Sequence, residues 1–241
     1  TIVNGFVSDK VDLIMANATP ALTAAVSATK DIPILGTSIT AYGVALDLAD
    51  FDGTVGGNVS GTSDLADLSA QAAMITEWFP ETKKVGLLFC SAEPNSRYQI
   101  EEVAKYLADK GIESKEFAFT DTNDVTAVTQ AAADYADVIY IPTDNTAAAN
   151  TEAIANVLVP AKVPAICGEE GICSGCGVAT LSISYYDLGV TTGKMAAKIL
   201  TGEADISTMA IEYTNATKKY NAATCDALGI KPLDGYTAIG E

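Results

Sequence analysis

The chain contains no histidine. Histidine is the usual general base near neutral pH and the commonest metal ligand. Its absence excludes Ser-His-Asp and Cys-His catalysis within this chain. Carboxylate, lysine or tyrosine chemistry stays open, but no motif favours it. Arginine occurs once, as Arg97, and the formal net charge is −17. A protein that grips a phosphate backbone needs clustered Lys and Arg, so nucleic acid is not expected as a partner. The acidity itself is read as solubility. No run of residues reaches the roughly 18 apolar positions that a membrane span requires. No signal or lipid-attachment segment stands at Thr1, and any such segment is expected to have been removed. Phosphate-binding loops are missing as well: there is no G-x-G-x-x-G after a strand and no G-x-x-x-x-G-K-[ST]. The stretch from Gly53 to Gly61 is glycine-rich but lacks that spacing and the lysine.

What is present is a globular composition. Of 241 residues 49% are hydrophobic and 19% charged, enough for one large core or two small ones. The five cysteines, Cys90, Cys167, Cys173, Cys176 and Cys225, cannot all pair within one chain. Cys173-Ser-Gly-Cys176 has C-x-x-C spacing, but the glycines around it suggest a loop rather than the helix start a redox motif needs. With Cys167 it would make a three-thiolate corner without a fourth ligand, so a local disulfide or free thiols are expected in preference to a metal. No cofactor is expected.

Short apolar strands alternate with amphipathic helices. Strands are expected at Asp12–Ala16, Ile32–Leu35, Lys84–Phe89, Ser114–Phe119, Val138–Ile141, Val163–Ile166, Val178–Ile183 and Ala210–Tyr213. Helices are expected at Pro20–Thr29, from an Asp64 cap to Phe79, and at Ser96–Lys110, Asp124–Ala133, Asn145–Val159, Tyr186–Leu200 and Ala222–Leu228. The segment around Asn58-Val-Ser60 reads as a glycine-punctuated loop. Such alternation argues for α/β architecture with parallel sheets covered on both faces. Ligands bind such sheets at the carboxyl ends of the strands. The residues there share a chemistry: Thr19 after the first strand, Thr37 after the second, then Ser91, Asn95 and Ser96, then Thr143, Asp144 and Asn145, then Glu169. Each taken alone is an ordinary helix cap; five such rims together point to a polar pocket.

Several stretches taken in order resemble one family, the ABC transporter substrate-binding proteins of the type that captures tryptophan and related amino acids. They are Asp12-Leu-Ile-Met-Ala-Asn-Ala-Thr-Pro-Ala21, Gly57-Asn-Val-Ser-Gly-Thr-Ser-Asp64, Glu93-Pro-Asn-Ser96, Pro142-Thr-Asp-Asn145 and Ser184-Tyr-Tyr-Asp-Leu-Gly189, followed by a helix ending in Leu200-Thr-Gly202. The resemblance implies a type I periplasmic-binding-protein fold: two doubly wound parallel-sheet domains joined by crossovers, which close on the ligand like a hinge. Carried over, the domains are 1–60 plus 182–205 and 61–181 plus 206–241. Two features depart from the family: Thr40-Ala41-Tyr42 stands where many members have Thr-Asp-Pro, and the Cys173–Cys176 segment is not a family hallmark.

The implied role is extracytoplasmic capture of an amino acid, aromatic or large aliphatic, for the permease subunits of an ABC importer. The protein would be free in the periplasm or lipid-anchored outside the membrane. The ligand carboxylate would need donors, for which Thr19, Asn95 and Ser96 are best placed. The ammonium would need carboxylates, Asp144 first and Glu169 second. The side chain would need a wall, from Tyr42, Phe89 or Tyr185. Arg97 reads as a solvated helix-face residue. Export also implies a disulfide among Cys167, Cys173 and Cys176. Two other classes share such sheets: the sensory domain of a transcription regulator, and a small-molecule enzyme on a flavodoxin-like sheet. The family also implies a βαβ segment before Asp12, so the first domain is expected to be truncated. Its Leu13–Met15 strand would then form an exposed edge that recruits another chain.

Overall fold

The computed structural model describes residues 2–240. In chain order the first elements are α1 (Ile2–Asp9), β1 (Ile14–Asn17), α2 (Thr19–Ala28), β2 (Ile34–Ile39), α3 (Tyr42–Ala45), β3 (Val59–Ser63) and α4 (Leu68–Trp78). There follow β4 (Lys84–Cys90), α5 (Pro94–Asp109), β5 (Glu113–Phe119), α6 (Val125–Tyr135), β6 (Val138–Ile141), α7 (Asn145–Ala148), α8 (Thr151–Ala161), β7 (Ala165–Cys167) and α9 (Glu170–Cys176). The chain closes with β8 (Ala179–Ile183), α10 (Tyr185–Leu200), β9 (Glu212–Tyr213), β10 (Ala216–Tyr220), α11 (Ala222–Leu228) and β11 (Thr237–Ala238). They form two compact units, Thr1–Leu65 with Ile183–Asn215, and Ala66–Ser182 with Ala216–Glu241.

The first unit holds a sheet of order β1-β2-β3-β9, with every pair parallel. Helices lie on both faces of this sheet, and β2 sends apolar side chains to each. On one face Ile14, Ile34, Ile39 and Val59 pack with Leu22 and Ala25 of α2 and with Tyr42. On the other, Leu35 packs with Met195 and Ala196 of α10. Strand β1 is an edge of this sheet, and Met15 on it is 49% exposed.

The second unit holds a sheet of order β11-β10-β8-β7-β6-β4-β5. The strand pairs with described register are all parallel. One core joins Leu88 and Phe119 to Val125 and Ala132 of α6, Ile154 and Leu158 of α8, and Ile172 of α9. The alternation of apolar runs thus produced the parallel α/β architecture that sequence pattern requires.

Four local readings are corrected. The segment taken as a glycine loop is strand β3. Gly61 there has φ +145°, and a Cβ on it would stand 2.1 Å from the Gly36 carbonyl oxygen and 2.4 Å from the Tyr42 hydroxyl. Gly61 pairs with Gly36 across β2 and β3, so this glycine permits close strand approach rather than a turn. The cap of α4 is Asp67, which accepts from Ser69 N at 2.8 Å and Ala70 N at 3.1 Å; Asp64 stands before it, at the end of β3. The single helix expected over 145–159 is two. Asn150 Nδ2 donates to the Thr146 carbonyl at 2.7 Å, a local bond that competes with helix continuation. Cys173-Ser-Gly-Cys176 lies in helix α9, started by the Glu169 side chain. Strands β10 and β11 carry no run of apolar residues that would mark them in the sequence.

Candidate functional site

The carboxyl ends of the strands carry polar groups in both units, and those groups differ in how far their hydrogen bonding is satisfied. In the second unit, β4 and β6 are adjacent, which brings the segments after them together. Glu93 caps the region from below: its Oε2 accepts from Asn145 N at 3.0 Å and Asn145 Nδ2 at 2.7 Å, and its Oε1 from Thr146 N at 2.9 Å and Thr146 Oγ1 at 2.8 Å. Burial alone would raise the Glu93 pKa, but these bonds outweigh it and the net shift is downward. Asp144 is buried; its Oδ2 accepts from Cys90 N and its Oδ1 from Ala147 N, each at 2.7 Å. Burial and the neighbouring Glu93 charge still push its pKa up. Thr143 is clamped by Gln99, whose Oε1 accepts from Thr143 N and whose Nε2 donates to Thr143 O, both at 3.0 Å. Asn95 Nδ2 also donates to Thr143 O at 3.3 Å, while Asn95 Oδ1 is buried without a partner.

Of the residues singled out from sequence, Asn95, Ser96, Thr143, Asp144 and Asn145 therefore lie in one network, joined through Thr143 O, Asp144 and Glu93. Ser91 stands on the β5 side, with Oγ donating to Phe119 O at 3.2 Å. Glu169 follows β7, and its carboxylate accepts from Gly171 N at 2.6 Å and from Ile172 N. The sequence could place these residues at helix starts, but could not show how many donors converge on each carboxylate.

In the first unit, Thr19 is buried at the first position of α2. Thr37 belongs to a hydroxyl cluster: Thr192 Oγ1 donates to Thr37 Oγ1 at 3.1 Å and lies 2.8 Å from Thr62 Oγ1. Past the end of β3, Asp64 is 4% exposed. Its Oδ2 accepts from the Tyr185 hydroxyl at 3.1 Å, and its Oδ1 is buried with no hydrogen-bond partner. Burial raises its pKa, against the lowering effect of the Thr40 and Tyr185 hydroxyls. Tyr42 lies beneath, its hydroxyl donating to Thr62 O at 3.1 Å, and its pKa is raised by burial and by Asp64. The sequence does not signal Asp64, because Gly57 and Gly61 before it resemble turn punctuation.

Of the three aromatic candidates, Tyr42 and Phe89 are fully buried core residues, whereas Tyr185 is 39% exposed. Arg97 lies over the Phe89 ring at 4.9 Å and pairs with Glu116 at 3.4 Å, both partners half exposed. It is a helix-face residue, as read. All five cysteines are free and buried, so the expected disulfide is not made. The Cys167 thiol packs with those of Cys173 and Cys176; burial first, then these neighbours, raise its pKa. Cys225 is pushed up to about 11. Among the described residues no group of His, Cys, Asp or Glu could hold a metal.

Parallel sheets with polar groups at the carboxyl ends of their strands are the architecture in which small molecules are bound. The chain belongs to the ABC transporter substrate binding protein family, whose model matches residues 1–233. It is 33% identical over 235 residues to a tyrosine-binding protein of Clostridioides difficile (strain R20291), covering 97% of this chain and 67% of that one. It is similar in structure to an ABC domain in complex with L-Trp from Streptococcus pneumonia, with TM-score 0.91 and 29% identity over 99% of this chain and 84% of that one. It is also similar to the ligand-free, open structure of a substrate binding protein with adhesive properties from Clostridium difficile. There the TM-score is 0.74 and the identity 32%, over 99% and 81% of the two chains. The family is one of solute-binding proteins, not enzymes, and acts outside the cytoplasm with an ABC transporter. No described helix is long and apolar enough to cross a membrane.

Proposed function

We propose that the protein captures a free amino acid with an aromatic or large aliphatic side chain and presents it to the permease subunits of an ABC importer. The observation that carries this reading is the pair of relatives, one called tyrosine-binding and one holding L-Trp, each similar over nearly the whole of this chain. The chemistry of the rims supports it. Thr19, Asn95 and Ser96 supply donors suited to a carboxylate. Thr37, Ser91, Thr143 and Asn145 add hydroxyl and amide groups, and Tyr185 offers an accessible ring. Asp144 and Glu169 fix the starts of α7 and α9, each oxygen accepting a backbone N–H. A thermal-shift panel of the twenty L-amino acids, followed by calorimetry, tests the reading. A stabilising response to tyrosine, tryptophan or a large aliphatic residue is expected; no response to any amino acid would refute it.

The protein works either free in the periplasm or held by a lipid anchor on the outer face of the membrane. Self-association through β1 is a further part of the proposal, supported by its edge position and by exposed Met15. Sedimentation velocity is expected to show a dimer that Met15→Lys dissociates. A monomer at all concentrations would remove this part alone.

A further inference from the structure

A buried carboxylate oxygen without a donor is costly, and native proteins rarely leave one. Among the carboxylates at the strand ends, Glu93, Asp144 and Glu169 each have an N–H or O–H donor on both oxygens. Asp64 differs. One oxygen is held by Tyr185, and the other is buried without a hydrogen-bond partner, although the Thr40 hydroxyl is near enough to the carboxyl to lower its pKa. None of the ion pairs among the described residues includes it.

We propose that Asp64 receives the ammonium group of the ligand, with its free Oδ1 accepting an N–H of a primary amine. This rests on the reading that the ligand is a free amino acid. An ammonium carries three donors and a positive charge, so it satisfies the orphaned oxygen and offsets the burial of the carboxylate together. A hard divalent cation is a poorer occupant, because calcium takes six to eight oxygens and no group of His, Cys, Asp and Glu among the described residues could hold a metal ion. The position agrees with the chemistry. Asp64 follows β3 at its carboxyl end, where open parallel sheets bind ligands. Its partner Tyr185 is the first residue of α10 and is 39% exposed. The amine acceptor and an aromatic ring thus stand side by side, in contact through one hydrogen bond.

The test is calorimetry on the wild type and Asp64→Asn with two pairs of probes. These are L-tyrosine with 3-(4-hydroxyphenyl)propionate, and L-tryptophan with indole-3-propionate. Asp64→Asn keeps the shape and removes the charge. The amino acid is expected to bind the variant at least about thirtyfold more weakly, while the amine-free analogue binds wild type and variant alike. Equal weakening of both members of a pair, or of neither, would overturn the assignment and leave amino-acid binding standing. If the wild type binds no L-amino acid, the amino-acid reading fails and the ammonium assignment fails with it. Circular dichroism of Asp64→Asn, with native-like spectra and a melting temperature at or above that of the ligand-free wild type, shows that lost affinity is not lost folding. A melting temperature well below the wild type would assign Asp64 a structural role and overturn the proposal.

Discussion

In the second unit Glu93, Asp144 and Glu169 each accept a hydrogen bond on both oxygens, although Asn95 Oδ1 there is buried without a partner; in the first unit Asp64 accepts on one oxygen alone. Around Thr143 both oxygens of each carboxylate accept from neighbouring groups: Glu93 from Asn145 and Thr146, Asp144 from Cys90 and Ala147. At the end of β3, by contrast, Asp64 keeps one buried oxygen unused. Carboxylates at the strand ends of the two parallel sheets are thus held differently. One with a donor on each oxygen fixes the backbone around it. One with a bare buried oxygen leaves capacity for a ligand, at the expense of the ligand-free fold.

The largest effect that could break this contrast is at Asp144. Asp144→Ala leaves two buried backbone N–H groups without acceptors, at roughly 1–3 kcal/mol each. Chemical denaturation is expected to show a loss on the order of 3 kcal/mol. Little change in stability with a large loss of ligand affinity would make Asp144 a ligand contact instead. Asp64→Asn should act in the opposite sense, raising the stability of the ligand-free protein by about 1 kcal/mol near neutral pH while weakening amino-acid binding.

The pH dependence sharpens the comparison. Burial raises the folded pKa of Asp64, so its favourable contribution is fully present below the unfolded value of about 3.9 and is lost as pH rises through the folded value. The advantage of Asp64→Asn over the wild type should therefore shrink as pH falls from 7 toward 4. The titratable groups beside Asp64 are Tyr42 and Tyr185, and the burial that raises the Tyr42 pKa keeps it neutral over this range. Glu93 behaves inversely. Its folded pKa is lowered, so it contributes stability above the unfolded value of about 4.3 that is lost as pH falls through the folded value. Glu93→Gln should cost most at neutral pH and least in acid. Melting curves of the two variants across this range should diverge from the wild type in opposite directions.

Smaller effects follow. Tyr185→Phe removes the hydroxyl that holds Asp64 Oδ2, and ligand affinity should fall about fivefold, the worth of one ordinary hydrogen bond. Arg97→Ala should change stability by no more than about 0.5 kcal/mol and leave affinity unaltered, because its ion pairs are half exposed.

The contrast between the rims was only half legible in the sequence. Periodicity and caps placed β4, β6 and α5 well enough to gather Asn95, Ser96, Asp144 and Asn145 into one group, and the structure joins them. The same residue types, though, are favoured both as helix caps and as ligand contacts. What separates the two uses is the count of donors around each oxygen, a property of three-dimensional packing. That is why the sequence alone ranks Asp144 first for the ammonium without showing that Cys90 N and Ala147 N donate to it. Asp64 was obscured for a different reason. Gly57 and Gly61 look like turn residues, and only the approach of Gly36 and the Tyr42 hydroxyl shows why Gly61 belongs in a strand. The α9 cysteines misled in the same way: the glycines among them let the helix pack closely, and Gly177 faces Cys167 Sγ at 2.3 Å from where a Cβ would be.

The most direct measurement is a crystal structure of the protein grown with L-tryptophan or L-tyrosine. The ligand ammonium is expected about 3 Å from Asp64 Oδ1, with Asp144 still bonded to Cys90 N and Ala147 N. An ammonium seated on Asp144 or Glu169, with Asp64 Oδ1 turned to a water or a protein donor, would contradict the assignment.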